Sequence, residues 1–192
     1  MPVRVVIAED EWLIAAALSR QVQFHGYEVV GTVGTGTDAV ALCRSQHPDV
    51  ILMDVQMPEM DGIQATRILM ETDPICVVIV TGKGKLEQES EQAGAMNYVT
   101  KPLLSNQIPL VVETARQRFE RFTQIRATET DPSQSDPLAS WIVIQRAVKK
   151  LAEESGSSEE LAFQRLEQLA TEQNADLLDA AQALLMNDAA SA

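Results

Sequence analysis

The stretch that most constrains the fold is PDVILMDVQMPEMDG, residues 48–62, in which an apolar run ends on a single carboxylate. The run from Val50 to Met53 has no polar position, which is typical of a strand buried on both faces in a parallel sheet. Asp54 then falls at the carboxyl end of that strand, where open α/β sheets bind their ligands. A carboxylate there is costly unless it binds a metal, a lysine or a phosphoryl group. Taken alone, the motif is also compatible with a loop or capping aspartate.

Apolar strands alternate with amphipathic helices through residues 1–122. The pattern predicts strands at 3–8, 27–33, 50–53, 75–80 and 96–99. It predicts helices at 12–24, 37–46, 62–72 and 85–92, and a long one from about residue 103. Strands that alternate with helices form a parallel sheet with right-handed crossovers. We therefore expect a five-stranded, doubly wound α/β domain.

Polar side chains follow four of the five predicted strands. They are Glu9 and Asp10 after the first strand, Asp54 after the third, Thr81 after the fourth and Lys101 after the fifth. Because the carboxyl ends of parallel strands meet at one edge of the sheet, we expect these side chains to share one site. Each residue by itself has an ordinary explanation, as a turn residue or a solvated charge, but together they indicate a functional site.

The charges of this set indicate which chemistry it favours. Three clustered carboxylates repel one another, and Mg²⁺ relieves the repulsion because it takes oxygen ligands in octahedral geometry. Lys101 and the metal together would neutralise a phosphoryl group arriving at Asp54, whose carboxylate is a natural nucleophile for an acyl phosphate. Thr81 could then hydrogen-bond the phosphoryl oxygens, and Gly82 would leave the approach open.

These motifs make residues 1–122 resemble the receiver domain of a two-component response regulator. The residues that carry the resemblance are Glu9-Asp10, Asp54 with MPEMDG at 57–62, Thr81-Gly82 and Lys101-Pro102. The resemblance implies a flavodoxin-like fold, a sensor histidine kinase as partner and no enzymatic activity. The enzyme alternative, an aspartyl-phosphate hydrolase, usually needs a second aspartate two residues after the nucleophile, where this chain has Gln56.

The resemblance also implies a role for each residue around the metal. Asp54 would be the phosphoacceptor, Asp10 a direct magnesium ligand and Glu9 a ligand acting through water. The backbone carbonyl of Gln56 would complete the protein ligands. Glu9 stands where aspartate is common in the family, and its longer side chain is expected to alter the metal affinity.

Two further features concern the response to phosphorylation. The resemblance implies that Thr81 and Tyr98 move together when the site is phosphorylated, and the alternative for Tyr98 is an ordinary half-buried strand aromatic. The two glycines and two lysines of Gly82-Lys83-Gly84-Lys85 predict a flexible and basic loop beside the site.

Composition limits the functions open to the chain as a whole. The chain has a net charge of −13 and an isoelectric point of about 4.5, so as a whole it repels nucleic acids and anionic membranes. Binding to a polyanion therefore requires a local basic patch. The sequence has no signal-peptide pattern and no apolar run of roughly 18 residues, so we expect a cytoplasmic protein without a membrane span. Cys43 and Cys76 lack metal-ligand spacing and are expected to be buried thiols in a reducing compartment.

The last helix of the α/β domain continues beyond the length that one such domain needs. Its apolar positions Ile108, Val112, Ala115, Phe119 and Phe122 form a narrow stripe, part of which must pack on the sheet. The remainder favours a short coiled coil, so we expect a homodimer on phosphorylation.

A linker and a second, smaller domain are predicted beyond residue 122. Residues 123–137 would extend the helix and then form a linker rich in polar residues and proline. Residues 138–192 predict an all-α domain of three helices. The expected boundaries are Asp136-Pro137 at the first helix start, Gly156 at its end, Ser157 with Glu160 as the capping box of the second helix, and Asn174 as the cap of the third.

Residues 138–186 resemble an ANTAR domain, the RNA-binding antiterminator module found behind receivers. The residues that carry the resemblance are Arg146-Ala147, Gly156, Ser158-Glu159-Glu160, Ala162-Phe163, Leu166, Ala170, Leu177 and Ala181. The chain departs from the family at Val148-Lys149, where a Lys-Gly pair is common. The resemblance implies that phosphorylation switches binding to a hairpin-containing leader transcript and so controls transcription antitermination.

Four residues of this domain are candidates for RNA contact. Arg146, Lys149 and Lys150 share one helical face, and Phe163 could stack on a base. The alternatives are a solvated basic face and a core phenylalanine. Residues 123–192 carry five Lys or Arg against twelve Asp or Glu, so a regulator whose acidic helical tail binds a protein is the second hypothesis. DNA binding is weaker, because no basic recognition helix is evident.

Overall fold

The computed structural model describes residues 1–82, 86–128 and 136–189. Contacts divide the chain into two compact units, Met1–Gln124 and Ile125–Ala192. The first unit is an α/β domain and the second is helical, as the sequence predicts.

The first unit is built on a five-stranded parallel sheet. Its strands are β1 (Arg4–Ala8), β2 (Glu28–Val33), β3 (Val50–Met53), β4 (Cys76–Thr81) and β5 (Asn97–Thr100). They lie in the order β2-β1-β3-β4-β5, so the strand order reverses between β1 and β3. This is the doubly wound, flavodoxin-like order, and the predicted fold class is confirmed.

Helices connect the strands of this sheet. They are α1 (Trp12–Phe24), α2 (Gly36–Gln46), α3 (Gly62–Thr72), α4 (Glu87–Gln92) and α5 (Ile108–Thr128), with a 3₁₀ turn at Ser105–Gln107 before α5. Every residue of β3 and β4 is buried, because helices cover both faces of a doubly wound sheet. The uninterrupted apolar runs in the sequence therefore mark the two strands at the centre of the core.

The start of α5 differs from the prediction. The helix begins at Ile108 rather than near residue 103. Residues 102–104 are not helical, and the 3₁₀ turn at Ser105–Gln107 comes between them and the helix. Leu104 is extended, with φ −76° and ψ 145°, and its N–H donates to the side chain of Gln107 at 3.0 Å. Leu103 is buried, so the chain first inserts this side chain into the domain and then starts the helix. At its other end α5 reaches Thr128, and the predicted linker beyond it lies largely outside the described residues.

The second unit contains the three predicted helices, α6 (Pro137–Ser155), α7 (Glu159–Gln173) and α8 (Leu177–Ala189). The Asp136 side chain accepts from the N–H groups of Leu138 and Ala139, so it caps α6 as predicted. Gly156, in the left-handed conformation with φ 62°, ends that helix. The core of the unit includes Ile144 and Leu166, both nearly or fully buried.

Two predicted caps in this unit are wrong by one or two residues. The N-cap of α7 is Ser158 rather than Ser157, and its side chain accepts from the N–H of Leu161. Asn174 ends α7 instead of starting α8, because it adopts the left-handed conformation with φ 51° that terminates helices. Asp176 caps α8 and accepts from the N–H of Asp179 at 2.7 Å.

Among the described residues, no helix is both long enough and apolar enough to span a lipid bilayer.

Candidate functional site

The carboxyl end of β1 supplies two acidic residues to the edge of the sheet. The backbone N–H of Glu9 donates to the carbonyl of Val33 at the end of β2, at 2.8 Å. This bond continues the β1–β2 pairing by one residue and turns the Glu9 side chain inward, where the residue is only 4% exposed. Asp10 follows it and is exposed. The pair therefore offers one buried and one accessible carboxylate.

The carboxyl end of β3 supplies the buried Asp54. Its N–H donates to the carbonyl of Ala8 at 2.8 Å, and the residue is 6% exposed. The chain then returns to this strand end, because the N–H of Gly62 donates to the carbonyl of Val55 at 2.9 Å. Asp61 caps α3 by accepting from the N–H of Gln64 at 2.8 Å. The hydrogen bond between Gly62 and Val55 thus joins the two ends of the loop that follows Asp54.

The carboxyl end of β5 leads to Lys101, which joins the two buried carboxylates. Its N–H donates to the carbonyl of Thr81 at 2.8 Å, which fixes the backbone beside β4. Its Nζ lies 2.8 Å from Asp54 Oδ2 and 2.5 Å from Glu9 Oε2. The peptide bond between Lys101 and Pro102 is cis. The structure therefore brings together Glu9, Asp54 and Lys101 as the sequence predicts.

Burial and neighbouring charges change the pKa values of Glu9 and Lys101. Burial raises the pKa of Glu9, and the hydrogen bond and charge of Lys101 offset only part of this effect. Burial by itself would lower the pKa of Lys101, but its hydrogen bonds to Asp54 and Glu9 and their negative charges raise it above the ordinary lysine value. The ammonium group is therefore charged across the physiological range.

The acidic residues fit a hard divalent cation. One carboxylate oxygen each from Glu9, Asp10 and Asp54 can be chosen so that all three lie within 4.8 Å of one another. Glu9 Oε1 and Asp54 Oδ1 are buried and accept no hydrogen bond from any described residue. Buried carboxylate oxygens without donors are costly, and a cation bound by oxygen ligands would remove that cost. Gln56, whose backbone carbonyl is the remaining predicted ligand, is exposed two residues after Asp54.

The predicted switch residues line the neighbouring strands. Thr81 is fully buried at the end of β4 and pairs in register with Thr100 of β5. Tyr98 pairs with Ile79 and packs, half-buried, against the core. Gly82 is exposed, and a Cβ atom on it would meet nothing within 4 Å. Lys83, Gly84 and Lys85 lie outside the described residues.

The four candidates for RNA contact are placed differently from one another in the helical unit. Arg146 and Lys149 are exposed on α6. Lys150 is partly buried, and its Nζ donates to the carbonyl of Leu184 on α8 at 2.9 Å. Phe163 is 6% exposed and belongs to the core of the unit, as the core-packing alternative states. The one-face spacing of the three basic residues did not indicate that Lys150 bonds to another helix.

Two glycines shape the site in a way that the sequence patterns do not indicate. A Cβ atom on Gly62 would lie 2.0 Å from the carbonyl oxygen of Asp54. A Cβ atom on Gly36, at the start of α2, would lie 2.5 Å from the carbonyl oxygen of Met60. Both helix starts therefore pack directly on the loop that carries Asp54. An Asp-Gly pair such as Asp61-Gly62 is typical of a turn, but it does not indicate how closely two backbones pack.

A buried aspartate at the switch point of a doubly wound sheet, flanked by two acidic residues, a hydroxyl and a lysine, defines the receiver class of signalling domain. Residues 5–113 match the family model described as "Response regulator receiver domain", and residues 136–185 match the one described as "ANTAR domain". The chain belongs to the response regulators that carry an ANTAR domain, a family of regulators rather than enzymes. A receiver implies a kinase partner, and an ANTAR domain implies RNA binding.

Comparison with known proteins supports this assignment over both domains. The transcriptional regulatory protein PdtaR of Mycobacterium tuberculosis is 32% identical over 187 residues, which cover 96% of this chain and 90% of that protein. The receiver domain of a putative response regulator, NarL, from the same organism has a TM-score of 0.57 at 28% identity, covering 60% of this chain and 97% of the solved one.

A second solved structure is described as a complex that contains Mg²⁺. The CheX-CheY-BeF3-Mg²⁺ complex of Borrelia burgdorferi matches with a TM-score of 0.56 at 26% identity, covering 59% of this chain and 89% of the solved one. The acidic triad of Glu9, Asp10 and Asp54 is typical of the magnesium site in receivers.

Proposed function

We propose that Asp54 is phosphorylated by a sensor histidine kinase and that this controls RNA binding by the C-terminal domain. The observation that carries the proposal is the position of Asp54, a buried carboxylate with Lys101 Nζ 2.8 Å from one oxygen and no hydrogen-bond donor among the described residues for the other. A nucleophile held between a fixed cation and an acidic pair is suited to phosphoryl transfer, where positioning and charge neutralisation supply most of the catalysis.

The transfer forms one bond and breaks one. A carboxylate oxygen of Asp54 attacks the phosphorus of a phosphohistidine, and the P–N bond breaks with its electron pair returning to the imidazole nitrogen. The product is an acyl phosphate on Asp54. Lys101 already contacts this carboxylate, so its ammonium is in place to bind the phosphoryl oxygens as their charge redistributes.

Four groups would hold Mg²⁺ beside the reacting carboxylate. They are the side chains of Glu9, Asp10 and Asp54 and the backbone carbonyl of Gln56. When bound, the metal supplies positive charge that neutralises the phosphoryl oxygens. The exposed Asp10 provides the accessible side of the site, and the buried pair provides its fixed side.

The phosphorylated state is read out through the neighbouring strands. Thr81 lies at the end of β4, where its hydroxyl is suited to bind a new phosphoryl oxygen, and the small Gly82 leaves room for the incoming group. Tyr98 packs against the same core from β5 and would follow the movement of Thr81. We expect the shifted conformation to associate more strongly than the unphosphorylated one and so to favour a homodimer. A modification changes the population of dimers only if the two conformations differ in their association free energy.

RNA binding by the dimer would prevent transcription termination. Two weak sites that are brought together by dimerisation bind one transcript tightly through effective concentration. Arg146 and Lys149 are exposed on α6 and are the residues we expect to contact phosphates. Because the described part of the second unit, residues 136–189, holds four Lys or Arg against ten Asp or Glu, few phosphates can be neutralised and binding should weaken only gradually as salt rises.

The first experiment tests the phosphoacceptor. Full-length protein is incubated with acetyl phosphate or a phosphorylated kinase, and acid-labile phosphate is measured with Mg²⁺ and with a chelator. Asp54→Asn should abolish labelling, whereas Asp38→Asn, at an exposed aspartate on α2, should label like the wild type. Full labelling of the Asp54→Asn protein would contradict the proposal.

The second experiment tests the readout. Sedimentation compares association of the phosphorylated and unphosphorylated chains, and gel-shift titration measures their affinity for paired-hairpin leader RNA. Phosphorylation should strengthen both, and the double change Arg146→Ala, Lys149→Ala should weaken RNA binding alone. Equal association constants in the two forms would exclude the dimer switch.

Protein binding by the second domain is the other candidate function. Phe163 is buried and Lys150 bonds within the domain, so the surface available for RNA is smaller than the sequence suggests. The acidic balance of residues 136–189 favours a basic protein partner instead. Recovery of a protein partner with no bound transcript, from cells that contain phosphorylated protein, would favour this function.

A further inference from the structure

The loop between Asp54 and α3 contains a tight turn in a strained backbone conformation. Glu59 has φ 65°, in the left-handed region that residues with a side chain rarely adopt. The N–H of Met60 donates to the carbonyl of Pro58 at 2.7 Å, which closes a γ-turn with Glu59 at its centre. A γ-turn with positive φ is rare, and strain of this kind persists only where the surrounding structure holds it in place. The turn therefore indicates that another element fixes this loop.

Gly36, the first residue of α2, contacts the turn directly. Its N–H donates to the carbonyl of Met60 at 3.1 Å. Gly36 is buried, and a Cβ atom on it would lie 2.5 Å from the Met60 carbonyl oxygen and 3.1 Å from the carbonyl carbon. These distances leave no room for a side chain at residue 36 unless one of the two backbones moves.

The helix that begins at Gly36 is held firmly in the domain. Ala39 and Cys43 of α2 are 0% and 2% exposed and belong to the hydrophobic core. The Thr35 side chain accepts from the N–H of Asp38 at 3.0 Å and so caps the helix. The turn at Glu59, by contrast, is exposed and already strained. A side chain at residue 36 should therefore displace the turn rather than the helix.

A displaced turn has a short path to Asp54. Met60 is followed two residues later by Gly62, whose N–H donates to the carbonyl of Val55 at 2.9 Å. A Cβ atom on Gly62 would lie 2.0 Å from the Asp54 carbonyl oxygen, so the backbones of Gly62 and Asp54 are already in close contact. Movement of Met60 is therefore passed on to the end of β3.

We propose that Gly36 is a positioning residue for the phosphorylation of Asp54 and that it acts through the Met60 carbonyl. The inference rests on the proposed function, and it extends the parts of the fold that serve the reaction to α2. A small displacement is sufficient, because a shift of about 1 Å in a reacting group can slow a reaction by roughly 100-fold.

The test compares two glycine-to-alanine changes that crowd α2 to a similar extent. A Cβ atom on Gly31 would lie 2.6 Å from Cδ2 of Leu42, which is the flexible end of a side chain of α2. Full-length protein is labelled with acetyl phosphate in excess Mg²⁺, and the rate is expressed per folded molecule. Gly36→Ala should be labelled roughly tenfold more slowly than the wild type, whereas Gly31→Ala should keep the wild-type rate.

A change at Glu59 separates positioning from a general loss of stability. Glycine adopts positive φ without strain, so Glu59→Gly should let the turn adjust to a methyl group at residue 36. It should therefore raise the labelling rate of Gly36→Ala severalfold more than it raises that of the wild type. If Gly36→Ala unfolds under these conditions, sucrose restores the folded form, because excluded osmolytes favour the compact state.

The outcomes distinguish this inference from the proposed function. Equal rates per folded molecule in Gly36→Ala and Gly31→Ala would overturn positioning by Gly36. An effect of Glu59→Gly that is the same with glycine or alanine at residue 36 would overturn the route through the turn. Absence of labelling in the wild type, or full labelling of Asp54→Asn, would overturn the proposed function instead.

Discussion

Gly62 packs so closely on Asp54 that a Cβ atom on residue 62 would lie 2.0 Å from the Asp54 carbonyl oxygen and 2.9 Å from the carbonyl carbon. The N–H of Gly62 also donates to the carbonyl of Val55 at 2.9 Å. The start of α3 is therefore fixed against the backbone of the phosphoacceptor. Any side chain at residue 62 must move one of the two backbones, because neither contact atom is the end of a flexible side chain.

Gly62→Ala should impair phosphorylation and stability together. The added methyl group forces the Asp54 backbone or the start of α3 to move, and overpacking of this kind typically costs about 1–3 kcal/mol. A displacement of about 1 Å can reduce a reaction rate by roughly 100-fold. Denaturant unfolding and the rate of Asp54 labelling measure the two effects. Gly82→Ala is the control for stability, because a Cβ there meets nothing within 4 Å; equal stability of both variants would contradict the argument.

The residues at the carboxyl edge of the sheet could be predicted because their positions follow from strand order. Parallel topology places the carboxyl ends of β1, β3 and β5 at one edge of the sheet, and Glu9, Asp54 and Lys101 lie there. The 2.0 Å relationship between Gly62 and Asp54 could not be predicted, because it depends on the path of a loop between two elements. Sequence patterns give the order of elements, whereas the close packing of backbones is a tertiary property.

The caps of the helical unit show a second limit. Ser157 and Ser158 have the same side chain, so the sequence does not determine which one reaches the free N–H groups of α7. Asn174 is favourable both at the start and at the end of a helix, and only its φ of 51° shows that it ends α7. Lys150 shows that the sequence also leaves long-range side-chain contacts undetermined. Its hydrogen bond to the carbonyl of Leu184 joins two helices through residues more than thirty positions apart in the chain.

Cys43 should be unreactive in the native protein. It is 2% exposed, and burial raises its pKa from 9.0 to about 12, with the charge of Asp73 adding to the effect. At pH 8 roughly one thiol in ten thousand would be ionised, and the thiolate is the reactive form. Since the folded protein binds this proton more tightly than the unfolded chain, stability should fall as the pH rises above 9.0. Titration with a thiol reagent should modify Cys43 only after unfolding; rapid labelling of native protein would contradict its burial.

Lys150 and Arg146 should separate stability from RNA binding. Lys150→Met removes the donor to the Leu184 carbonyl and should destabilise the helical unit by about 1–2 kcal/mol. Arg146→Met, at an exposed position of the same helix, should change stability by less than about 0.5 kcal/mol and weaken RNA binding. Thermal unfolding and gel-shift titration of both variants measure the contrast. A loss of RNA affinity in folded Lys150→Met equal to that in Arg146→Met would restore Lys150 to the RNA-binding surface.

Phe163 should contribute to the stability of the helical unit rather than to stacking on a base. Its ring is 6% exposed in the core of α6, α7 and α8, so Phe163→Ala should cost about 3–5 kcal/mol. Trp141, the one tryptophan of residues 125–192, is 2% exposed and reports unfolding of this unit by fluorescence in a Trp12→Phe background. Leu161→Ala is the control, because Leu161 lies on α7 and is 58% exposed. If Phe163→Ala left stability unchanged and weakened RNA binding, the ring would be a stacking platform after all.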